Sequence, residues 1–197
     1  MKSICVFLGS SPGRLPEYRQ AAVHLGEELA GRGLRLIYGG GSIGLMTVIA
    51  DRVLAEGGEV IGVIPQALVD KEVAHLGLTD LRIVGSMHER KALMADLADG
   101  FIALPGGMGT LEELCEILTW AQLGLHRKPC GLLDIAGYYD GLKRFFDHMV
   151  EERFLREEHR RLLLIAQDAG ELLDQFEQFQ PVQLPKWMDG PVPPAIR

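Results

Sequence analysis

Short apolar runs alternate with stretches of helical period from one end of the chain to the other, and this alternation restricts the fold more than any other feature. The runs lie at residues 4–8, 34–38, 60–64, 81–84, 101–104, 130–133 and 162–166. Several, such as Ile4-Cys5-Val6-Phe7-Leu8, are apolar throughout instead of alternating with polar residues. A strand that is apolar on both sides belongs in a parallel sheet covered by helices on both faces. The intervening segments supply those helices, at residues 16–32, 45–55, 87–98, 111–125, 137–153 and 168–179. In the first of them Tyr18, Ala21, Ala22, Leu25 and Leu29 recur at helical spacing. Residues 66–80 are less regular and read as a loop with a helical turn. The expected fold is a single-domain, Rossmann-like, doubly wound α/β sheet. It has about seven mostly parallel strands and helices on both faces.

The expected domain spans residues 1–180. Five of the ten prolines fall between Pro181 and Pro194, so residues 181–197 read as a tail without regular structure. A chain of 197 residues is long enough to bury roughly two-thirds to three-quarters of its unfolded surface. The formal charge of −7 argues against a general nucleic-acid binder, which usually carries a basic face. It leaves room for a small anion at a local positive site. No apolar run approaches the roughly 20 residues of a membrane span, and the N-terminal run reads as a first strand instead of a secretory signal. Cys5, Cys115 and Cys130 form no CxxC pair. They are expected to be buried, reduced thiols in a cytoplasmic protein.

In such a sheet ligands gather at the carboxyl ends of the strands. The turns after the first, second and fifth runs lie on that edge, so Ser10, Gly41 and Ser42 become candidates for substrate contact. Gly39-Gly40-Gly41-Ser42-Ile43-Gly44 matches GxGxxG between a strand and a helix. The next strand, however, ends in Ile64-Pro65-Gln66, without the acid that would hold a dinucleotide ribose. A turn against a mononucleotide phosphate or ribose fits better than NAD or FAD. Pro105-Gly106-Gly107-Met108-Gly109-Thr110 also joins a strand to a helix, and no Gly-Lys-Ser/Thr follows that would make it a Walker A loop. Strand, glycine turn and helix together aim backbone N–H groups and a positive helix end at an anion.

Thr110 and Glu113 have the Thr-x-x-Glu spacing of a capping box. On that reading Glu113 only caps its helix and Glu112 only complements the dipole. Spare carboxylates beside a phosphate make more sense if one has work at the sugar. Arg90 and Lys91 follow the fourth strand on the same edge and could meet an anion or developing charge. The six histidines show no metal-ligand spacing, and His88 reads as a surface residue. Trp120, Tyr138 and Tyr139 read as packing residues.

Residues 105–113, PGGMGTLEE, resemble the PGGxGTxxE signature of the LOG ("lonely guy") family, cytokinin riboside 5′-monophosphate phosphoribohydrolases. Residues 38–46 resemble that family's second-strand turn, and Met87-His88-Glu89-Arg90-Lys91 its MHxRK segment. The likeness runs from about residue 4 to the final helix. It implies hydrolysis of the N-glycosidic bond of a purine ribonucleoside 5′-monophosphate, with a cytokinin or adenine base released beside ribose 5-phosphate. It implies a homodimer with active sites near the subunit interface, and no metal or cofactor. Arg90 and Glu113 match the two catalytic positions. Gly106, Gly107, Met108, Gly109 and Thr110 would hold the 5′-phosphate, and Glu72, Lys91 and Glu112 match further substrate contacts. Members of the family have also been labelled lysine decarboxylases, but no lysine here has a recognisable Schiff-base setting. Two rivals remain at this stage, a non-catalytic nucleotide- or cofactor-binding module and a dinucleotide-dependent oxidoreductase. Arg90 and Glu113 weigh against the first, and the missing ribose acid against the second.

Overall fold

A computed structural model describes residues 1–71 and 74–181. Seven strands form one sheet in the order β4-β3-β2-β1-β5-β6-β7, and every neighbouring pair is parallel. They are β1 (Ser3–Phe7), β2 (Arg35–Tyr38), β3 (Val60–Pro65), β4 (Asp80–Val84), β5 (Gly100–Ala103), β6 (Cys130–Leu133) and β7 (Leu163–Ala166). The helices are α1 (Pro16–Gly31), α2 (Gly44–Ala55), α3 (Gln66–Val69), α4 (Met87–Leu97), α5 (Met108–Gln122), α6 (Asp140–Glu151), α7 (Glu157–Arg160) and α8 (Ala169–Gln178).

Two cores lie on opposite faces of the sheet. Ile4, Val6 and Leu8 point to one, where Leu25 and Leu29 of α1, Ile49 and Val53 of α2, and Leu172 and Phe176 of α8 meet them. Cys5 and Phe7 point to the other, with Met94 of α4, and Leu114 and Ile117 of α5. This two-sided burial is why the strands are apolar at consecutive positions. Cys5 and Cys130 are buried and free as expected, whereas Cys115 is exposed on α5.

The strand order reverses between β1 and β5. The chain runs outward to β4 from one side of β1, then returns to build β5, β6 and β7 on the other. The connections from two adjacent strands therefore diverge above their carboxyl ends and leave a crevice. Phe7 lies opposite Ala103 in the register, so both strands end at the same level. Gly9 N–H donates to Pro105 O at 3.2 Å, tying the two turns together at the base of the crevice.

The expected elements are present, with informative differences at their ends. α5 starts at Met108, three residues before Leu111, because the glycines continue directly into helical backbone. α6 starts at Asp140, not at residue 137, because Ala136 (φ 52°) and Gly137 (φ 68°) are left-handed within a 3-10 turn, Ile135–Gly137. The short α7 was not expected from the sequence. The proline-rich tail from residue 182 onward lies outside the described residues.

Candidate active site

α5 opens directly over the crevice. Its N-cap is Gly107, which has no side chain to satisfy the first N–H groups. The first helical bond closes from Leu111 N–H to Gly107 O at 3.2 Å. The N–H groups of Met108, Gly109 and Thr110 precede that bond and are the ones a helix start offers to an anion. Gly107, Met108 and Gly109 are exposed, whereas Thr110 is buried. Gly106 has to be glycine. A Cβ there would lie 2.1 Å from Thr110 Oγ1 and 2.9 Å from Gly9 N.

The capping-box reading of Thr110 and Glu113 does not survive this helix start. With Gly107 as the cap, Glu113 is the sixth helical residue and cannot reach back to cap an N–H. Nor do Glu112 and Glu113 belong to the first turn. Glu113 points elsewhere: its Oε1 lies 3.9 Å from Arg90 Nη2, and both side chains are largely buried, at 13% and 12% exposure. Burial pushes the Glu113 carboxyl above its ordinary range, and the Arg90 guanidinium opposes that rise. Side chains on a helix lean toward its N-terminus. The Glu113 carboxylate therefore leans from about 9 Å along the axis back toward the anion-accepting end.

Arg90 crosses beneath this point from α4. Ser86 caps α4 by accepting from Glu89 N–H, which fixes where the first turn and its arginine begin. Arg90 Nε donates to Val63 O at 3.1 Å and Nη2 to Gly39 O at 3.3 Å. The guanidinium thus lies across the ends of β2 and β3. Gly39 is glycine for that reason, since a Cβ would lie 1.7 Å from Arg90 Nη2. Within the GxGxxG-like stretch, Gly39 leaves the space that the Arg90 guanidinium occupies.

The remaining sequence candidates separate. Lys91 Nζ is held between Glu112 and Glu116, the latter at 3.1 Å, and the hydrogen bond to Glu112 does most to raise the ammonium above its ordinary range. Glu116 was not anticipated; its spacing of four from Glu112, on one helix face, was the available signal. Gly41 O accepts from Tyr38 Oη at 3.2 Å, and Gly41 bridges to Ala74, so this turn is braced by its own strand. Ser42 is half-buried beside it. Glu72 lies outside the described residues. Ser10 is exposed and lines a cavity of about 250 Å³ between the turns after β1 and β5, together with Ser11, Tyr18, Gly106, Gly107 and Tyr138. Tyr138 packs edge-on against Tyr18 and Tyr139, as expected of a packing residue, and also lines this cavity. Tyr139 is buried as expected, Trp120 packs against the core and His88 is exposed.

Residues 46–176 match a family model described as "Possible lysine decarboxylase". The chain is 51% identical over 180 residues to the cytokinin riboside 5′-monophosphate phosphoribohydrolase LOG7 of Arabidopsis thaliana, covering 91% of this chain and 83% of that one. It is 52% identical to the cytokinin riboside 5′-monophosphate phosphoribohydrolase LOG of Oryza sativa subsp. japonica, covering 91% and 74%. Among solved structures, a structural-genomics target superposes with a TM-score of 0.70 at 24% identity, covering 91% of this chain and 100% of that one. The molybdenum cofactor carrier protein of Chlamydomonas reinhardtii superposes with a TM-score of 0.68 at 22% identity, covering 90% and 96%. At those identities the two structures speak for the fold alone.

Proposed function

This chain belongs to the LOG family of cytokinin riboside 5′-monophosphate phosphoribohydrolases, and from that premise we propose how its residues perform the reaction. The enzyme hydrolyses the N-glycosidic bond of a cytokinin riboside 5′-monophosphate to free base and ribose 5-phosphate. The bond between C1′ and the base nitrogen breaks, the oxygen of water joins C1′, and the base leaves with a proton.

The 5′-phosphate binds at the start of α5, on the N–H groups of Met108, Gly109 and Thr110 and in the turn of Gly106 and Gly107. Ser10 contributes from the β1 turn. This remote binding positions the anomeric carbon. Departure of the base leaves positive charge on the sugar, as in glycoside hydrolysis. Glu113, ionised, offsets that charge and orients or deprotonates the attacking water. Arg90 opposes the rise that burial imposes on the Glu113 carboxyl and anchors the substrate. Gly41 and Ser42 border the ribose, and Lys91 with Glu112 contributes at the edge of the substrate. The observation that carries the reading is the buried Arg90–Glu113 pair, a short helix length behind an uncapped glycine helix start.

A decarboxylase reading fits less well. A Schiff-base lysine needs its amine neutral, which a lowered pKa provides. Lys91 has two carboxylates around its ammonium and is shifted the opposite way. A carrier that binds nucleotide without cleaving it has no use for a carboxylate shielded from water beside the phosphate end. The working unit is taken to be a cytoplasmic homodimer without nucleic-acid partners. The free cysteines and the charge of −7 support the compartment and the absence of nucleic acid. Among the described residues no helix is long and apolar enough to cross a membrane.

The test is incubation with isopentenyladenosine 5′-monophosphate and, in parallel, AMP, separating nucleotide from base by chromatography. Free base with equimolar ribose 5-phosphate is expected, and faster release from the isopentenyl nucleotide would identify the preferred substrate. Full recovery of both nucleotides would support a carrier instead.

A further inference from the structure

The connection from β6 to α6 carries strain that closing the sheet does not require. Ala136 has φ 52° and is followed by Gly137 at φ 68°. A left-handed alanine persists only where its surroundings fix it. Asp134, buried at the end of β6, does this by accepting from Tyr139 N–H at 2.8 Å and from Lys143 Nζ. The result is that two adjacent tyrosines reach the signature turn. Tyr139 Oη donates to Leu104 O and Tyr138 Oη to Gly106 O, each at 2.6 Å. The Tyr138 ring stands edge-on to both Tyr18 and Tyr139, with centroids 5.6 Å and 4.8 Å away, and lines the cavity.

A Gly-Gly peptide is the easiest of all to rotate, since neither residue has a Cβ to resist. In a trans peptide the C=O and N–H point in opposite directions. A rotated Gly106–Gly107 unit would turn a carbonyl oxygen toward a bound anion. Tyr138 holds that oxygen to itself and so fixes the peptide plane before the ligand arrives.

We propose that Tyr138 is a positioning residue of the phosphate site, locking the Gly106–Gly107 peptide so that the enzyme favours 5′-phosphorylated substrates over the corresponding nucleosides. The inference rests on the proposed function for its substrate. Tyr138 sits 45% exposed with its ring held by aromatic edges, so Tyr138→Phe keeps the packing and removes only the hydrogen bond. For Tyr138→Phe, KM for the nucleoside monophosphate should rise about five- to tenfold, with kcat within twofold of the parent. The ratio of kcat/KM for the nucleoside monophosphate to that for the nucleoside should fall by the same factor. Ribose 5-phosphate, titrated by calorimetry, should bind weaker by the same factor. Tyr138→Ala provides a second variant with the same expected split. Unchanged KM and unchanged ribose 5-phosphate affinity in the folded variants would overturn the proposal, as would a loss confined to kcat. The calorimetric arm needs no turnover. If the parent cleaves no nucleotide yet the variants bind ribose 5-phosphate more weakly, the functional reading fails and the lock stands.

Discussion

At the scale of single residues, the proposed mechanism rests on a carboxylate and a guanidinium that share a nearly dry environment. Glu113 must be ionised for the proposed chemistry, and burial works against this. Its carboxyl is raised, so kcat/KM should climb with pH through a midpoint above the ordinary glutamate value of about 4.3. Arg90 pulls that midpoint down. Replacing it by Gln should therefore move the acidic limb of the residual activity to higher pH, which a pH–rate profile of Arg90→Gln measures. Gly39 offers a second check at a buried residue outside the proposed substrate contacts. Gly39→Ala puts a methyl group where Arg90 Nη2 lies, at 1.7 Å, so the guanidinium must leave its two carbonyls. Activity should fall at least about tenfold, the loss of one charge-assisted hydrogen bond being worth about 1.5–3 kcal/mol. Wild-type turnover by a folded Gly39→Ala protein would show that Arg90 need not sit there. The resemblance picked out Arg90 and Glu113, but neither the burial of the pair nor the constraint on Gly39 could be read from the sequence. Gly39 looked like part of a nucleotide fingerprint, and its real constraint, an arginine arriving from a position 51 residues later, is a tertiary contact.

At the scale of elements, the strand–turn–helix unit of β5 and α5 was legible, because an apolar run, a glycine turn and an apolar stripe each announce themselves locally. Its helix start was not. Thr110 and Glu113 spell a capping box, but the glycines enter the helix early and move the cap to Gly107. That shift of three residues changes Glu113 from a cap into a carboxylate with nothing to cap. The β6–α6 connection was equally opaque. Its tyrosines read as packing residues because only the fold brings residues 138 and 139 to carbonyls at 106 and 104. Gly106→Ala tests the turn as a unit. The added methyl group would meet Thr110 Oγ1 and Gly9 N, which must move apart and open the crevice. The expected result is a KM for nucleoside monophosphate raised at least about tenfold, equivalent to about 1.4 kcal/mol, with the melting temperature changed by a few degrees at most. A KM within twofold of the parent would mean that phosphate binds elsewhere.

At the scale of the whole molecule, sheet order does the assembling. The reversal between β1 and β5 opens the crevice, β3 and the turn after β2 supply the carbonyls that hold Arg90, and the connection after β6 sends Tyr138 back over the turn. The doubly wound class was readable from continuous apolar runs, but the order of the strands was not, since parallel strands leave no local mark of their neighbours. The same sheet carries unrelated activities in other proteins, so the fold alone settles no chemistry. The proposal places the chemistry on Glu113, and one measurement addresses that directly. In Glu113→Gln the side chain keeps its size and hydrogen-bonding reach but cannot ionise. Single-turnover release of base from isopentenyladenosine 5′-monophosphate should fall by about 10²–10⁴-fold, while ribose 5-phosphate binds the folded variant as tightly as it binds the parent. Base release at near the parental rate by that folded variant would contradict the assignment of Glu113 as the catalytic carboxylate.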